Sequence, residues 1–364
     1  MAIQSTFSVP GGVSEFFYAM SSIPGRSFRE EAEELLARYR EAAAGTVPVW
    51  CRFHLSDIAN QAQELRELSG DADAALVGQP PVGNARIALE AYHLSPGPET
   101  IRLENGTELR LKHYRQLFFR TGTLTARGSG PQMREEFETA ERLLARYGGT
   151  VAENLQRTWI YCRDIDNNYA DLVSARRELF RKYGLTENTH YIASTGIEGM
   201  SDPHSRLVRM DSFALFGHVP EQIEYMQALD HLSPTHVYAV TFERGTRIVY
   251  GDRSCCCISG TASIDRNGGI VHPRDVEKQT RRLIENVEAL LRNHGGSLAD
   301  LKQAVVYLRD PADAAAVEAV LCDRIPDETA RIMVKGSVCR PGWLVEMDAI
   351  AVNANGNPAF KRFE

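Results

Sequence analysis

The order of elements between about residues 115 and 215 returns between 255 and 352, and this repetition restricts the fold more than any other feature of the chain. In the first set, the strand-like "LFFRTGTLT" (117–125) precedes a helix opened by Pro131 and closed by Gly148-Gly149. A short helix, the strand "RTWIYCRD" (157–164), a helix over about 168–183, a strand near 189–195 and the strand "LVRMDSFAL" (207–215) follow. In the second set, "CCCISGTASI" (255–264) precedes a helix started by Pro273 and Asp275, then "AVVYLRD" (304–310), a helix over about 311–323, "ARIMVKGSV" (330–338) and "LVEMDAIAV" (344–352). Residues match as well as order. Tyr161-Cys162-Arg163-Asp164 corresponds to Tyr307-Leu308-Arg309-Asp310, "LVRMDSFAL" to "LVEMDAIAV", and "RTGTLT" to "ISGTAS". Matches in one shared order indicate two diverged copies of a single unit.

Strands interleaved with helices, a turn at Asn267-Gly268 and a last strand apolar on both faces predict an α+β fold. Each copy is then a sheet with helices on one face and a partner sheet on the other, so that two β-sheet-plus-helices units pack sheet to sheet. The expected division is an N-terminal extension (1–110) packed on the first unit, a diverged unit (111–230) and a C-terminal unit (231–364). Within the extension, Ser27 and Glu30 form a capping box ahead of Ala32, Leu35, Leu36 and Tyr39 at helical spacing. The segment "PEQIEYMQAL" (220–229) is expected as a helix bridging the two copies.

Glu346 is the residue that asks for an explanation. On "LVEMDAIAV", Val345, Met347, Ala349 and Ala351 point one way, and Leu344, Glu346, Asp348, Ile350 and Val352 the other. Small side chains suit a face covered by helices, which turns Glu346 toward the second sheet, out of water. A desolvated carboxyl with no cation against it has a raised pKa and serves as a general acid. The first copy carries Arg209 at the equivalent place, and Arg163, Arg206, Arg309 and Arg331 lie on or beside strands. Guanidinium groups bind carboxylates through paired hydrogen bonds, so an acid among arginines suggests a carboxylate-bearing substrate. From pattern alone, each of these residues also fits a plain structural part: Glu346 in an ion pair, the arginines beside helix caps, Tyr161 and Tyr307 as core aromatics, Cys339 as filler.

Other chemistry finds no support. The chain has no Gly-x-Gly-x-x-Gly after a strand, no phosphate-binding loop, no His-Glu-x-x-His and no Gly-x-Ser-x-Gly. Its ten histidines show no metal-ligand spacing, so no metal and no cofactor is expected. Seven cysteines at non-framework spacings read as core filler, with neighbours in Cys255-Cys256-Cys257 pointing to opposite faces. A net charge of −7 with both signs scattered argues against nucleic acid as a partner, and no stretch is long and apolar enough to span a membrane. A cytoplasmic location is expected.

The segments "ISGTASID", "GGIVHPRDVEKQT", "GGSLADLKQAVVYLRD" and "VEMDAIAV" resemble the YjgF or RidA-like family over roughly 255–352. That resemblance implies a chorismate-mutase-like α+β unit, trimeric packing, clefts between neighbouring sheets, and substrate handling by an arginine and an acid at Arg331 and Glu346. Over most of the chain, "YAVTFERGT", "YGDR", "ISGTASID", "VCRPGWLVE" and "WIYCRDI" resemble the chorismatases, which join a RidA-like C-terminal domain to a related N-terminal one. The resemblance implies cofactor-independent cleavage of chorismate. Glu346 would protonate the enolpyruvyl methylene, and Arg163, Arg209 and Arg331 would hold the two carboxylates, with Tyr161 beside them. Cys339, seven residues before the acid, implies the subgroup that forms 3-hydroxybenzoate and pyruvate. A chorismate hydrolase forming a dihydroxycyclohexadiene carboxylate, a RidA-like imine deaminase and a non-catalytic binding module remain open, as does monomer against trimer.

Overall fold

The computed structural model describes residues 3–71, 74–122, 124–238 and 240–364. Three sheets, rather than two, organise the chain. The first is built from β1 (Gln4–Phe7), β2 (Glu15–Ser21), β3 (Val47–Leu55), β4 (Ala75–Gly78) and β5 (Ile87–Leu94), with α1 (Phe28–Ala42) and α2 (Ile58–Ser69) between its strands. The middle sheet contains β6 (Glu99–Leu103), β7 (Gly106–Arg110), β8 (Arg115–Arg120), β9 (Leu155–Cys162), β10 (Ala193–Glu198) and β11 (Val208–Phe216), accompanied by α3 (Ser129–Arg146), α4 (Val151–Asn154) and α5 (Ile165–Lys182). The last is formed by β12 (Ile223–Tyr225), β13 (Gly245–Val249), β14 (Ser254–Ala262), β15 (Leu301–Leu308), β16 (Ala330–Lys335) and β17 (Val345–Asn353), with α6 (Val276–Asn293) and α7 (Ala314–Arg324).

One connectivity serves all three. In the C-terminal sheet β14 pairs antiparallel with β17, β17 antiparallel with β15, and β15 parallel with β16. The strands β8, β11, β9 and β10 repeat this, and so do β2, β5, β3 and β4. Each parallel pair needs a crossover, which α2, α5 and α7 supply. Residues 4–94, expected as an extension, therefore have the topology of the two copies, while β6 and β7 of the expected extension pair with the middle sheet.

Local sequence explains the helices that sit behind the sheets. Ser27 and Glu30 cap α1 reciprocally, and Ala32, Leu35 and Leu36 are buried beneath it. Asp275 accepts from the Lys278 N–H at the start of α6, whose Leu283, Val287 and Leu290 face its sheet. The bridging helix expected over 220–229 is absent. Pro220–Gln222 makes a single 3₁₀ turn and Ile223–Tyr225 pairs with β13 as an edge strand. A segment this short gains little as an isolated helix, whereas the sheet edge satisfies its backbone.

Helices cover the outer face of each sheet, and the inner faces converge on one core containing Phe17, Tyr92, Trp159, Phe213, Cys257 and Tyr307. The shared registers identify equivalent positions. His54 lies opposite Ala88, Tyr161 opposite Arg209, and Tyr307 opposite Glu346. Two residues further along each last strand stand three buried acids, Glu90, Asp211 and Asp348. Arg52 donates to Asp211 at 2.8 Å and also to Glu90, and Arg157 donates to Asp348 at 3.3 Å, so guanidiniums tie one sheet to the next.

Candidate active site

β17 runs through the centre of its sheet with Ala262 of β14 on one side of Glu346 and Tyr307 of β15 on the other. The alternation of the strand sends Glu346 across to the middle unit, where β10 and α5 close a cleft over it. The cleft, open to solvent on one side, spans about 460 Å³, and Tyr169, Arg176, Gly196, Arg244, Cys339 and Trp343 line it together with Glu346.

Glu346 is 5% exposed and makes no hydrogen bond to the protein among the described residues. Burial raises its pKa to about 8, the nearby Asp348 adds to the rise, and Arg244 and Arg157 oppose it without cancelling it. At neutral pH this carboxyl carries its proton. Asp348 is spoken for: it accepts from Thr195 at 2.7 Å, from Tyr307 at 3.1 Å and from Arg157. Two carboxyls on one strand are thus separated by environment, one knitted into a polar network and one facing an empty cleft.

The space for Glu346 depends on a glycine. A Cβ on Gly260 would lie 2.2 Å from Oε1 of Glu346 and 3.1 Å from Cγ2 of Thr195. Gly260 N–H meanwhile donates to Thr195 Oγ1 at 3.0 Å, which holds β14 against β10. Across the cleft, a Cβ on Gly196 would come within 3.3 Å of the Tyr169 ring. Tyr169 and Cys339 line the cleft together. Burial, reinforced by Glu346, pushes the Cys339 thiol up to about 12, so it is a neutral thiol and no thiolate nucleophile. Arg244 donates to Ser233 O at 2.9 Å, and Arg176 to Thr241 at 3.3 Å. Their two guanidiniums bring positive charge to the wall of a site whose acid is uncharged.

Of the residues singled out from sequence, the cleft brings together Glu346 and Cys339. The others lie elsewhere. Arg163, at the end of β9, donates to His204 O. Arg209 donates to Asp211 at 2.9 Å and to Leu76 O, toward the N-terminal unit. Tyr161 is fully buried, its hydroxyl has no hydrogen-bond partner among the described residues, and its ring lies 5.5 Å from the Arg52 guanidinium. Arg331 donates to Glu318 at 3.0 Å and to Cys322. The physical reason is the third unit. With three sheets around one axis, a last strand faces a different neighbour in each unit, so equivalent residues line different clefts.

The cleft instead takes its cations from Arg176 and Arg244, which sequence reading did not pick out. Arg176 is one of several arginines on an amphipathic helix, and Arg244 sits in "YAVTFERGT", where the resemblance offered the one available signal. The registers show an exchange between copies. Ser194 on β10 occupies the place that Arg331 has on β16, three residues before Ile197 and Val334 respectively. The middle unit thus supplies its guanidinium from a helix rather than from the strand.

Residues 247–353 match the endoribonuclease L-PSP family. A 3-aminoacrylate deaminase, RutC, of Acinetobacter baylyi is 36% identical over 95 residues, covering 26% of this chain and 75% of that protein. The chain belongs to that family through its C-terminal unit. Among solved structures, a chorismatase crystal structure at 1.08 Å resolution matches with a TM-score of 0.65 and 20% identity, covering 92% of this chain and 98% of the other. The likeness establishes a shared fold across all three sheets. A RidA from the Antarctic bacterium Psychrobacter sp. PAMC 21119 matches 35% of this chain and 98% of its own, at 22% identity and a TM-score of 0.31. No helix among the described residues is long and apolar enough to cross a membrane.

Proposed function

We propose that the protein cleaves chorismate, forming 3-hydroxybenzoate and pyruvate. The observation that carries this reading is a buried, protonated Glu346 facing a cleft whose lining brings two guanidiniums, Arg176 from the middle unit and Arg244 from its own. Chorismate has an enol ether and two carboxylates. Protonation of its enolpyruvyl methylene makes an oxocarbenium ion, which requires an acid that keeps its proton at neutral pH in a dry site. Arg176 and Arg244 are the candidates for the carboxylates, in place of Arg163, Arg209 and Arg331. The similarity in fold to a chorismatase supports the same substrate class.

With the ring's own hydroxyl taking part, the ether opens, pyruvate leaves and the ring becomes aromatic. The atoms of chorismate then divide into the two products with no water consumed. A water molecule attacking the oxocarbenium ion would instead give the dihydroxycyclohexadiene acid. The neutral Cys339 and Tyr169 crowd the cleft beside Glu346 and favour the water-free course. Incubating the protein with chorismate is expected to release pyruvate in equal amount to 3-hydroxybenzoate. Chromatography that finds the dihydrodiol would replace the lyase by the hydrolase, and the absence of pyruvate would remove both.

The space at Gly260 gives a sharper test. Gly260 has an ordinary backbone conformation, so alanine fits the chain but strikes the carboxyl. Gly260→Ala is expected to lower kcat about 10- to 100-fold by displacing the acid, with a KM for chorismate changed far less. Unchanged kcat would mean that the carboxyl does not act from its observed position.

A further inference from the structure

The three inner faces do not close completely where they meet. A hollow there, partly open to solvent and spanning about 460 Å³, is lined from strands of all three sheets, and none of its lining residues belongs to the Glu346 cleft. Its origin is a break in the likeness of the three units. Two residues beyond the buried acids Glu90, Asp211 and Asp348 stand Tyr92, Phe213 and Ile350, and opposite these on the neighbouring strand stand Phe17, Phe118 and Cys257. Two units therefore bring a pair of rings, with centroids 5.0 Å apart for Phe17 and Tyr92 and 4.8 Å apart, stacked, for Phe118 and Phe213. The C-terminal unit brings a thiol and a branched aliphatic chain, which fill less space.

The consequence is visible in the packing. Trp50, Phe118, Cys255 and Ile350 lie on inner faces and line the hollow, yet each stays only half-buried. Apolar side chains beside a void forfeit dispersion contacts on that side, and an apolar cavity takes up an apolar ring more readily than water. The polar side chains of the lining are committed to partners. Glu15 accepts from the Tyr92 hydroxyl at 2.8 Å and from Arg253 at 2.6 Å, and Gln116 donates to the Tyr250 hydroxyl at 3.0 Å. Glu15 is the one charged residue of the lining, so a ligand carboxylate finds no cation there.

We propose that this hollow binds one uncharged, flat aromatic molecule, which takes the place of the ring pair that the C-terminal unit lacks. Tyr92 and Phe118, whose rings are 6.1 Å apart, offer it aromatic contacts. On the side of the C-terminal unit it meets the sulfurs of Cys255 and Cys257, which pack well against a ring edge.

The placement of the tryptophans provides the experiment. Of the chain's three, Trp50 and Trp159 line the hollow and Trp343 lines the Glu346 cleft. In a Trp343→Phe variant of the full chain, titration with phenol is expected to change the remaining fluorescence with saturation. Cyclohexanol, similar in size but not flat, should bind about 3- to 10-fold more weakly, the worth of ring-on-ring contacts. Benzoate, flat but anionic, should bind more weakly still, because its carboxylate would be buried unpaired. Adding Ile350→Phe puts a ring where the other units have Tyr92 and Phe213, and adding Cys257→Phe puts one where they have Phe17 and Phe118. Either should fill the space and abolish saturable phenol binding. An adjoining hollow between the first and middle sheets shares Trp50, Phe118 and Trp159 but neither Ile350 nor Cys257, so loss of the signal in these variants assigns it to this site. Melting curves show which of the two variants folds, and that one carries the test. A response that does not saturate, that cyclohexanol or benzoate matches, or that keeps its midpoint in the filled variant overturns the proposal. The titration uses no chorismate, so this site and the proposed activity can fail independently.

Discussion

Glu346→Gln is expected to lower turnover of chorismate by ~10² or more, the worth of a positioned general acid, and at the same time to make the protein more stable at pH 8. Glutamine fills the same space but has no proton to give to carbon. The stability gain follows from linkage. The folded-state pKa of Glu346 is raised from 4.5 to about 8, chiefly by burial. A raised carboxyl pKa means that the native state binds a proton the unfolded state has released, so folding loses free energy as pH climbs from about 4.5 to 8 and is level beyond. Each unit of the shift is worth ~1.4 kcal/mol, and the glutamine variant avoids the whole of it. Melting curves of both proteins should coincide near pH 4.5 and separate steadily toward pH 8, with the variant higher. The wild-type kcat should hold below pH 7 and fall above pH 8 as the acid ionises. A variant with near-normal turnover would defeat the mechanism, and equal melting behaviour at pH 8 would mean that the carboxyl is not desolvated as the cleft implies.

How far the sequence discloses this depends on whether a signal is local to one strand. Glu346 was legible because alternation along nine residues leaves a carboxylate on an otherwise apolar face, and Asp348 shows the same parity. The core faces of α1 and α6 were legible for the corresponding reason at helical spacing. The guanidiniums of the cleft were not, because Arg176, on α5 of the middle unit, meets Glu346 only after the sheets assemble, and Arg244, though in the same unit as Glu346, lies just ahead of β13 outside any strand or helix pattern. Pairing Glu346 with Arg331 failed for the same cause: the two share a unit but face different neighbours. The third unit was hidden because connectivity survives in it while residue identity does not. His54 and Ala88 stand where the other units have tyrosines and a charged residue, so no segment of 1–94 matches the copies letter for letter. At 220–229 the helical spacing was real, but edge pairing with β13, a non-local contact, decided the outcome.

The contact that joins the hidden unit to the rest sets the largest expected loss of stability. Arg52 is 3% exposed and bridges Glu90 of its own sheet to Asp211 of the middle sheet. Burial alone would raise both acids. Arg52 and His54 outweigh it at Glu90, and Arg209 and Arg52 at Asp211, so both are held below the usual carboxylate range and remain ionised. Arg52→Met keeps the apolar volume against Trp50 and Trp159 but leaves two buried carboxylates short of a cation, which is expected to cost ~3–5 kcal/mol. Urea unfolding at pH 7 measures it. The pH dependence distinguishes lost charge pairing from lost packing. In the wild type, stability from these two acids is present above their unfolded pKa values and is lost as pH falls through their lowered folded values. In the variant the carboxylates are the liability, so protonation relieves it, and the gap between the two proteins should narrow as pH falls toward 4. Adding Glu90→Gln and Asp211→Asn to Arg52→Met should recover most of the loss at pH 7, since a buried pair replaced as a whole costs far less than one broken in half. A loss below ~1 kcal/mol, the worth of an exposed pair, or one that is constant from pH 7 to 4, would mean that packing of the three inner faces, rather than this bridge, holds the first sheet in place.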